Sequence, residues 1–147
     1  MRKTVRNEKG FTLIELMVVL VIMGILVTVV VLNISDEPDK AKVQMARTNI
    51  KTLETALKMY KIDNGKYPTT EQSIDALKYE PTVGDVPKSY KDGGYVESVP
   101  MDPWDNPYIY ISPGAAGRPY DLLSYGADGV EGGDKFNEDI ESWNLAQ

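Results

Sequence analysis

Two residue types are missing altogether from these 147 residues: cysteine and histidine. Without cysteine there is no disulfide and no thiolate chemistry. Without histidine the commonest general base and the commonest transition-metal ligand are gone. No lysine is placed to activate a serine in its stead, and no phosphate-binding glycine loop ending in Lys-Ser/Thr occurs. Asp102 and Asp105 are of the type used in glycoside chemistry, but a proline-flanked turn accounts for them. The sequence therefore offers no catalytic residue, and the chain does not read as an enzyme. Positive charge is also short, with 16 Lys+Arg against 22 Asp+Glu for a net of −6. That balance disfavours a nucleic-acid partner, which wants a basic stripe. Repeats and low-complexity tracts are absent.

What positive charge there is lies unevenly. Arg2, Lys3, Arg6 and Lys9 fall at the very start. Behind them Phe11 to Leu32 runs for 22 residues with a single charge, Glu15. As a helix this stretch would rise about 33 Å, enough to cross a bilayer core. A carboxylate at depth costs roughly 2.5–3.5 kcal/mol on insertion scales, so Glu15 is predicted to be paired or functional. On residue types alone, an ordinary signal anchor fits the same pattern. A secretory signal would want a shorter apolar segment and a small-residue cleavage site, which Val29-Val30-Val31-Leu32 does not supply.

Lys9-Gly10-Phe11-Thr12-Leu13-Ile14-Glu15 resembles the cleavage and assembly signal of type IV pilins and type II secretion pseudopilins. The shared features are a basic leader, Gly before the cut, Phe after it, an acid at the fifth mature position and a long apolar helix. The resemblance implies cleavage after Gly10 by a prepilin peptidase and N-methylation of Phe11. It also implies a filament core of packed apolar helices, with Glu15 facing the free amine of a neighbouring Phe11. On this reading residues 1–10 are a leader, 11–32 a transmembrane and assembly helix, and 33–147 a periplasmic domain. Loss of the leader removes four basic residues and one acid and leaves a net charge of −9.

Beyond the apolar run, Asn33 to Asp39 is polar, and Pro38 cannot donate within a helix, so a bend is expected here. Many members of the family carry Pro where this chain has Leu32, which leaves the place of the kink open. Gly24 reads two ways: a weak point that melts on assembly, or a small residue for close helix contact. From Lys40 to Ile62 the period is helical, with Val43, Ala46, Ile50, Leu53, Leu57 and Tyr60 on one face. Lys42, Arg47, Lys51, Glu54, Lys58 and Lys61 form the other. Asn64-Gly65 and Pro68 end the helix. Thr69 and Gln72 have capping-box spacing and open a short second helix through Ile74 and Leu77. Asp63 to Gln72 closely matches a stretch of the major pseudopilins, where Tyr67-Pro68 reads as structural.

Glu80 to Gly94 reads as a polar loop and Tyr95 to Val99 as a short extended piece. Asp102-Pro103-Trp104-Asp105-Asn106-Pro107-Tyr108 resembles a family turn in which Gly usually stands where this chain has Asp105. Trp104 is expected to anchor the core. Tyr108–Ile111 and Tyr120–Ser124 read as strands joined by a loop over 112–117. The fold class predicted is α+β: a long N-terminal helix, half transmembrane and half amphipathic, on a small antiparallel sheet with a C-terminal metal-binding loop.

That loop, Ser124 to Ile140, is rich in oxygen donors and glycine and has no soft ligand. Such composition suits Ca²⁺, although EF-hand spacing is missing. On composition alone a solvated acidic loop is the simpler account. Ser124, Gly126, Asp128, Gly129, Asp139, Ile140 and Trp143 match the calcium-binding ending of major pseudopilins. The resemblance implies Asp128 and Asp139 as carboxylate ligands, Tyr125 and Val130 as carbonyl donors, and Asp134, Glu138 and Ser124 as weaker candidates. It also implies a cross-subunit ion pair at Lys58 and Glu97, with signs exchanged relative to the family. Within one helix, Glu54 is an equally available partner for Lys58.

The reading as a whole is a major pseudopilin, the repeating subunit of a helical filament. The implied partners are further copies, minor pseudopilins, the inner-membrane assembly platform and the prepilin peptidase. The implied location is the inner membrane, crossed once, with the C-terminal domain in the periplasm. A type IV pilin of a surface fibre and a signal-anchored calcium-binding module that does not assemble are the other readings. The missing C-terminal cysteine pair argues against the pilin.

Overall fold

A computed structural model describes residues 10–34 and 37–145. The chain divides into two compact units between Pro38 and Asp39. The first holds α1, Leu13–Ile34. Thr12 starts it: its hydroxyl and carbonyl both accept from the Glu15 amide, at 3.3 and 3.1 Å. Side chains from Leu13 to Val27 are exposed. Side chains of α1 are described only as far as Val27, and among the described residues no helix is long and apolar enough to cross a membrane.

The second helix, α2, spans Glu37–Asn64. Pro38 falls in its first turn, where a missing N–H leaves no bond broken. The interruption expected over 33–39 is therefore narrower than the sequence suggests, because α1 runs to Ile34 and α2 begins at Glu37. Ser35 and Asp36 lie outside the described residues. Ala46, Ile50, Leu53, Leu57 and Tyr60 are buried as their spacing predicts, and Val43 packs at the edge of the core. Arg47 and Glu54 depart from the predicted solvent face and are half-buried. Arg47 Nη1 donates to the Leu145 carbonyl at 3.2 Å, and Glu54 accepts from the Tyr120 hydroxyl at 3.4 Å. Gly65, at φ +79°, ends α2 and donates its N–H to the Lys61 carbonyl. That left-handed geometry is cheap only for glycine.

The capping box at Thr69 and Gln72 is formed in both directions, at 3.0 and 3.2 Å. It does not open an α-helix directly. A turn over 70–73 leads to a single 3-10 turn, Ile74–Leu77, capped by Ser73. Gln72 is buried because its amide also donates to the Val83 and Asp85 carbonyls, holding the polar loop.

Three antiparallel strands follow: β1 Ile109–Ile111, β2 Asp121–Ser124 and β3 Ile140–Glu141, in that spatial order. Tyr110 pairs with Leu122, and Ser124 with Ile140. β1 and β2 lie within the two predicted strands. β3 was not predicted; two residues are too few for a period-2 signal. Tyr95 to Val99 joins no sheet. The Tyr95 and Val96 amides donate instead to the Leu77 carbonyl, which bends the segment. α2, the 3-10 turn and all three strands share one core. Tyrosine supplies much of it: Tyr60, Tyr90 and Tyr95 pack with ring centroids 5.3–6.4 Å apart. Burial pushes the hydroxyls of Tyr90, Tyr108 and Tyr110 up to about 12. The structural role expected of Tyr67-Pro68 is met. Tyr67 packs edge-on against Tyr120 at 4.9 Å, and the Pro68 carbonyl accepts from the Tyr110 hydroxyl.

Candidate cation loop and the turn beneath it

The turn before β1 is organised by one carboxylate. Asp102 is only 3% exposed. Its Oδ1 accepts from the Trp104 and Asn106 amides at 3.0 and 2.8 Å, and its Oδ2 accepts from the Ser124 hydroxyl at 2.6 Å. A buried carboxylate is tolerable when donors surround it in this way. Asp105, where the family has Gly, stands at φ +68°. The backbone thus keeps the left-handed turn and the aspartate adopts it, as short polar side chains can. Trp104 is half-buried and packs against the core, as anticipated.

Ser124 connects this turn to the C-terminal loop. Its hydroxyl donates to Asp102 and accepts from the Gly126 amide at 3.2 Å. The loop then folds onto itself: the Ala127 amide donates to the Phe136 carbonyl at 2.9 Å. A Cβ at Gly126 would stand 2.9 Å from that carbonyl, and one at Gly133 would collide with the Asn137 carbonyl. Both glycines also have positive φ, so only glycine satisfies these positions. Gly129 lies against Asn106, so loop and turn touch.

The implied ligands are arranged as follows. Asp128 Oδ1 caps its own turn, accepting from the Val130 amide at 3.1 Å. Asp139 Oδ2 accepts from the Gly132 amide at 3.0 Å, while Asp139 Oδ1 is buried with no hydrogen-bond partner. A buried carboxylate oxygen left so is costly, and a hard cation is one group that satisfies it. The chemistry of the donor set agrees, being all oxygen. Tyr125 is half-buried, and Val130 and Asp134 are exposed. The Ser124 hydroxyl is already committed on two sides. Asp139 also lines, with Arg47, Lys135 and Glu138, a depression of about 220 Å³. Among the described residues, no three acidic side chains converge on one point. A groove of about 440 Å³ runs past Met101, Pro107 and Ile109.

The N-terminal candidates lie in the other unit. Gly10, Phe11 and Glu15 are all exposed, Glu15 in the first turn of α1. Lys58 and Glu97 are exposed and not paired with each other, and no ion pair joins Glu54 to Lys58. Residues that sequence reasoning passed over are Asn106, Phe136 and Asn137, whose atoms back the loop. The signal for them was the glycine spacing, which demands close backbone neighbours without naming them.

Comparison with known proteins decides the kinship. The family model described as type II secretion system (T2SS), protein G, matches residues 33–143. The chain belongs to that family. A second model, the prokaryotic N-terminal methylation motif, matches residues 5–31. Among protein G relatives, the type II secretion system core protein G of Pseudomonas aeruginosa is 50% identical over 139 residues, covering 95% of this chain and 97% of its own. The protein of the same name from Aeromonas hydrophila is 51% identical, covering 95% of each chain. The crystal structure of the major pseudopilin from the type 2 secretion system of enterohaemorrhagic Escherichia coli superposes with a TM-score of 0.65 at 39% identity. It covers 76% of this chain and 94% of that one. The protein G family accounts for the helix-on-sheet unit, and the methylation motif for the segment before it.

Proposed function

We propose that this chain is the major structural subunit of the pseudopilus of a type II secretion system, and that its filament drives protein export. The observation that carries this is the pairing, in one chain, of an N-terminal methylation motif with a protein G domain. Prepilin peptidase cuts after Gly10, and Phe11 is methylated. The segment 11–32 anchors the subunit in the inner membrane, with the second unit in the periplasm. Subunits leave the membrane by adding to the filament, with minor pseudopilins and an inner-membrane assembly platform as partners. No catalytic chemistry is required of the chain. Calcium is the cation proposed for the C-terminal loop. Asp128 and Asp139 hold it with the Tyr125 and Val130 carbonyls, and Asp134 and Ser124 stand nearby. When bound there it would supply positive charge to the unpartnered oxygen of Asp139 and cross-link the loop.

Glu15 supports the assembly reading, because an apolar helix gains nothing from a lone acid unless a cation meets it. In Glu15→Ala, N-terminal mass spectrometry should still find the chain starting at Phe11, while sheared filaments disappear. A chain starting before Phe11 in the unaltered protein would instead indicate a plain anchor. For the Lys58 and Glu97 contact, Lys58→Glu and Glu97→Lys should each reduce filament yield. The double change should restore it, and absence of rescue with both variants folded would remove the contact.

A further inference from the structure

α2 carries a second stripe that its own core does not use. Met45, Thr48, Thr52, Thr55, Met59 and Ile62 follow one another at steps of three and four, the spacing of a helix–helix seam. All six are exposed, the three apolar ones at 57, 49 and 80%. The threonine hydroxyls turn back onto the helix: Thr48 donates to the Gln44 carbonyl, Thr52 to Thr48 and Thr55 to Lys51, at 2.9–3.0 Å. With hydroxyls so engaged, each threonine shows its methyl outward. The result is an uncharged ridge about 26 Å long.

Charge names the occupant. Residues 40–62 hold six basic side chains and one acid, whereas 63–147 hold six basic and sixteen acidic. Lys51 and Lys58 lie beside the ridge on one flank. Two ridges meeting face to face would set these lysines against each other. An anionic lipid surface would attract the helix and repel the acidic remainder of the unit. The C-terminal loop is the complement: Val130 is 63% exposed, and the acids Asp128 and Glu131 flank it in the chain, both exposed. We infer that the α2 ridge of one copy docks on the C-terminal loop of the next, with Lys51 toward Glu131. Ridge and loop are different surfaces, so the contact is head-to-tail and propagates without closing. This rests on the filament reading and names the surfaces that reading leaves open.

The chain has no cysteine, so introduced ones are unique. Two differently tagged full-length copies, Thr52→Cys and Val130→Cys, are co-expressed and cross-linked in sheared filaments; Thr48→Cys with Glu131→Cys is the second pair. A mixed dimer from either pair, with none from Thr52→Cys alone, is the expected result. Lys51→Glu should abolish it, and Lys51→Glu with Glu131→Lys should restore it. Filaments that form without a mixed dimer from either pair overturn the docking and leave the filament reading standing. A Thr52→Cys self-dimer also overturns it. So does shielding of Thr52→Cys from a water-soluble maleimide in membranes of the non-assembling Glu15→Ala chain, which would assign the ridge to lipid. If the unaltered chain forms no filaments, both readings fall.

Discussion

Two acidic segments touch in the second unit and solve the same problem differently. In the turn at Asp102 a buried carboxylate has a protein donor on each oxygen. In the loop from Tyr125 to Asp139 one carboxylate oxygen is buried with none. The turn is complete with the chain's own groups. The loop has more acids, less burial and no apolar run to hold it. Sequence composition alone does not separate the two. What separates them is donor supply: the turn sets a donor on each oxygen of Asp102, and the loop leaves Asp139 Oδ1 without one.

The largest break in this contrast comes from removing the satisfied acid. Asp102→Ala strands two part-buried amides and the buried Ser124 hydroxyl, each costing about 1–3 kcal/mol. The full chain in detergent should lose about 3–5 kcal/mol in urea unfolding followed by tryptophan fluorescence, more than Asp102→Asn. A loss below 1 kcal/mol would mean that water replaces the carboxylate. Next in size is completion of the loop. Calcium at a hundredfold excess over its Kd should stabilise the chain by about 2.7 kcal/mol, and chelator should reverse this. Asp128→Ala and Asp139→Ala should lose the response, whereas Asp102→Asn should keep it from a lower starting point. Superimposable melting curves with and without chelator would leave the loop a solvated acidic segment. The smallest effect sharpens the turn. Asp105→Gly relieves the left-handed backbone and should stabilise by about 0.5–1 kcal/mol, while Asp105→Ala should destabilise.

The legible parts of the fold were those written in local pattern. The buried row of α2 followed from steps of three and four, and the Thr69–Gln72 box from spacing alone. β3 was invisible because two residues carry no period, and it exists only because β2 offers Ser124 and Leu123 an edge. Tyr95 to Val99 looked extended, but the Leu77 carbonyl captured its amides, a tertiary event with no local mark. In the site, the acids of the loop stood out by composition and by resemblance. The role of Asp102 did not, because its meaning depends on Ser124, far along the chain. Ser124 was read as a candidate ligand, and its hydroxyl turns out to be the rivet between turn and loop.

The threonine back-bonds of α2 have a mechanical consequence. Each hydroxyl shares a carbonyl that also accepts the helical amide, which tilts that carbonyl outward and lengthens the backbone bond. Three such bonds fall along one face, opposite the packed core, and each favours a slightly longer outer wall of the helix. A rod with unequal walls bows. α2 is thus biased to curve around its sheet with the methyl ridge outermost, like a leaf spring set under light load. Repeated along a fibre, a small bend per subunit sums into compliance under tension.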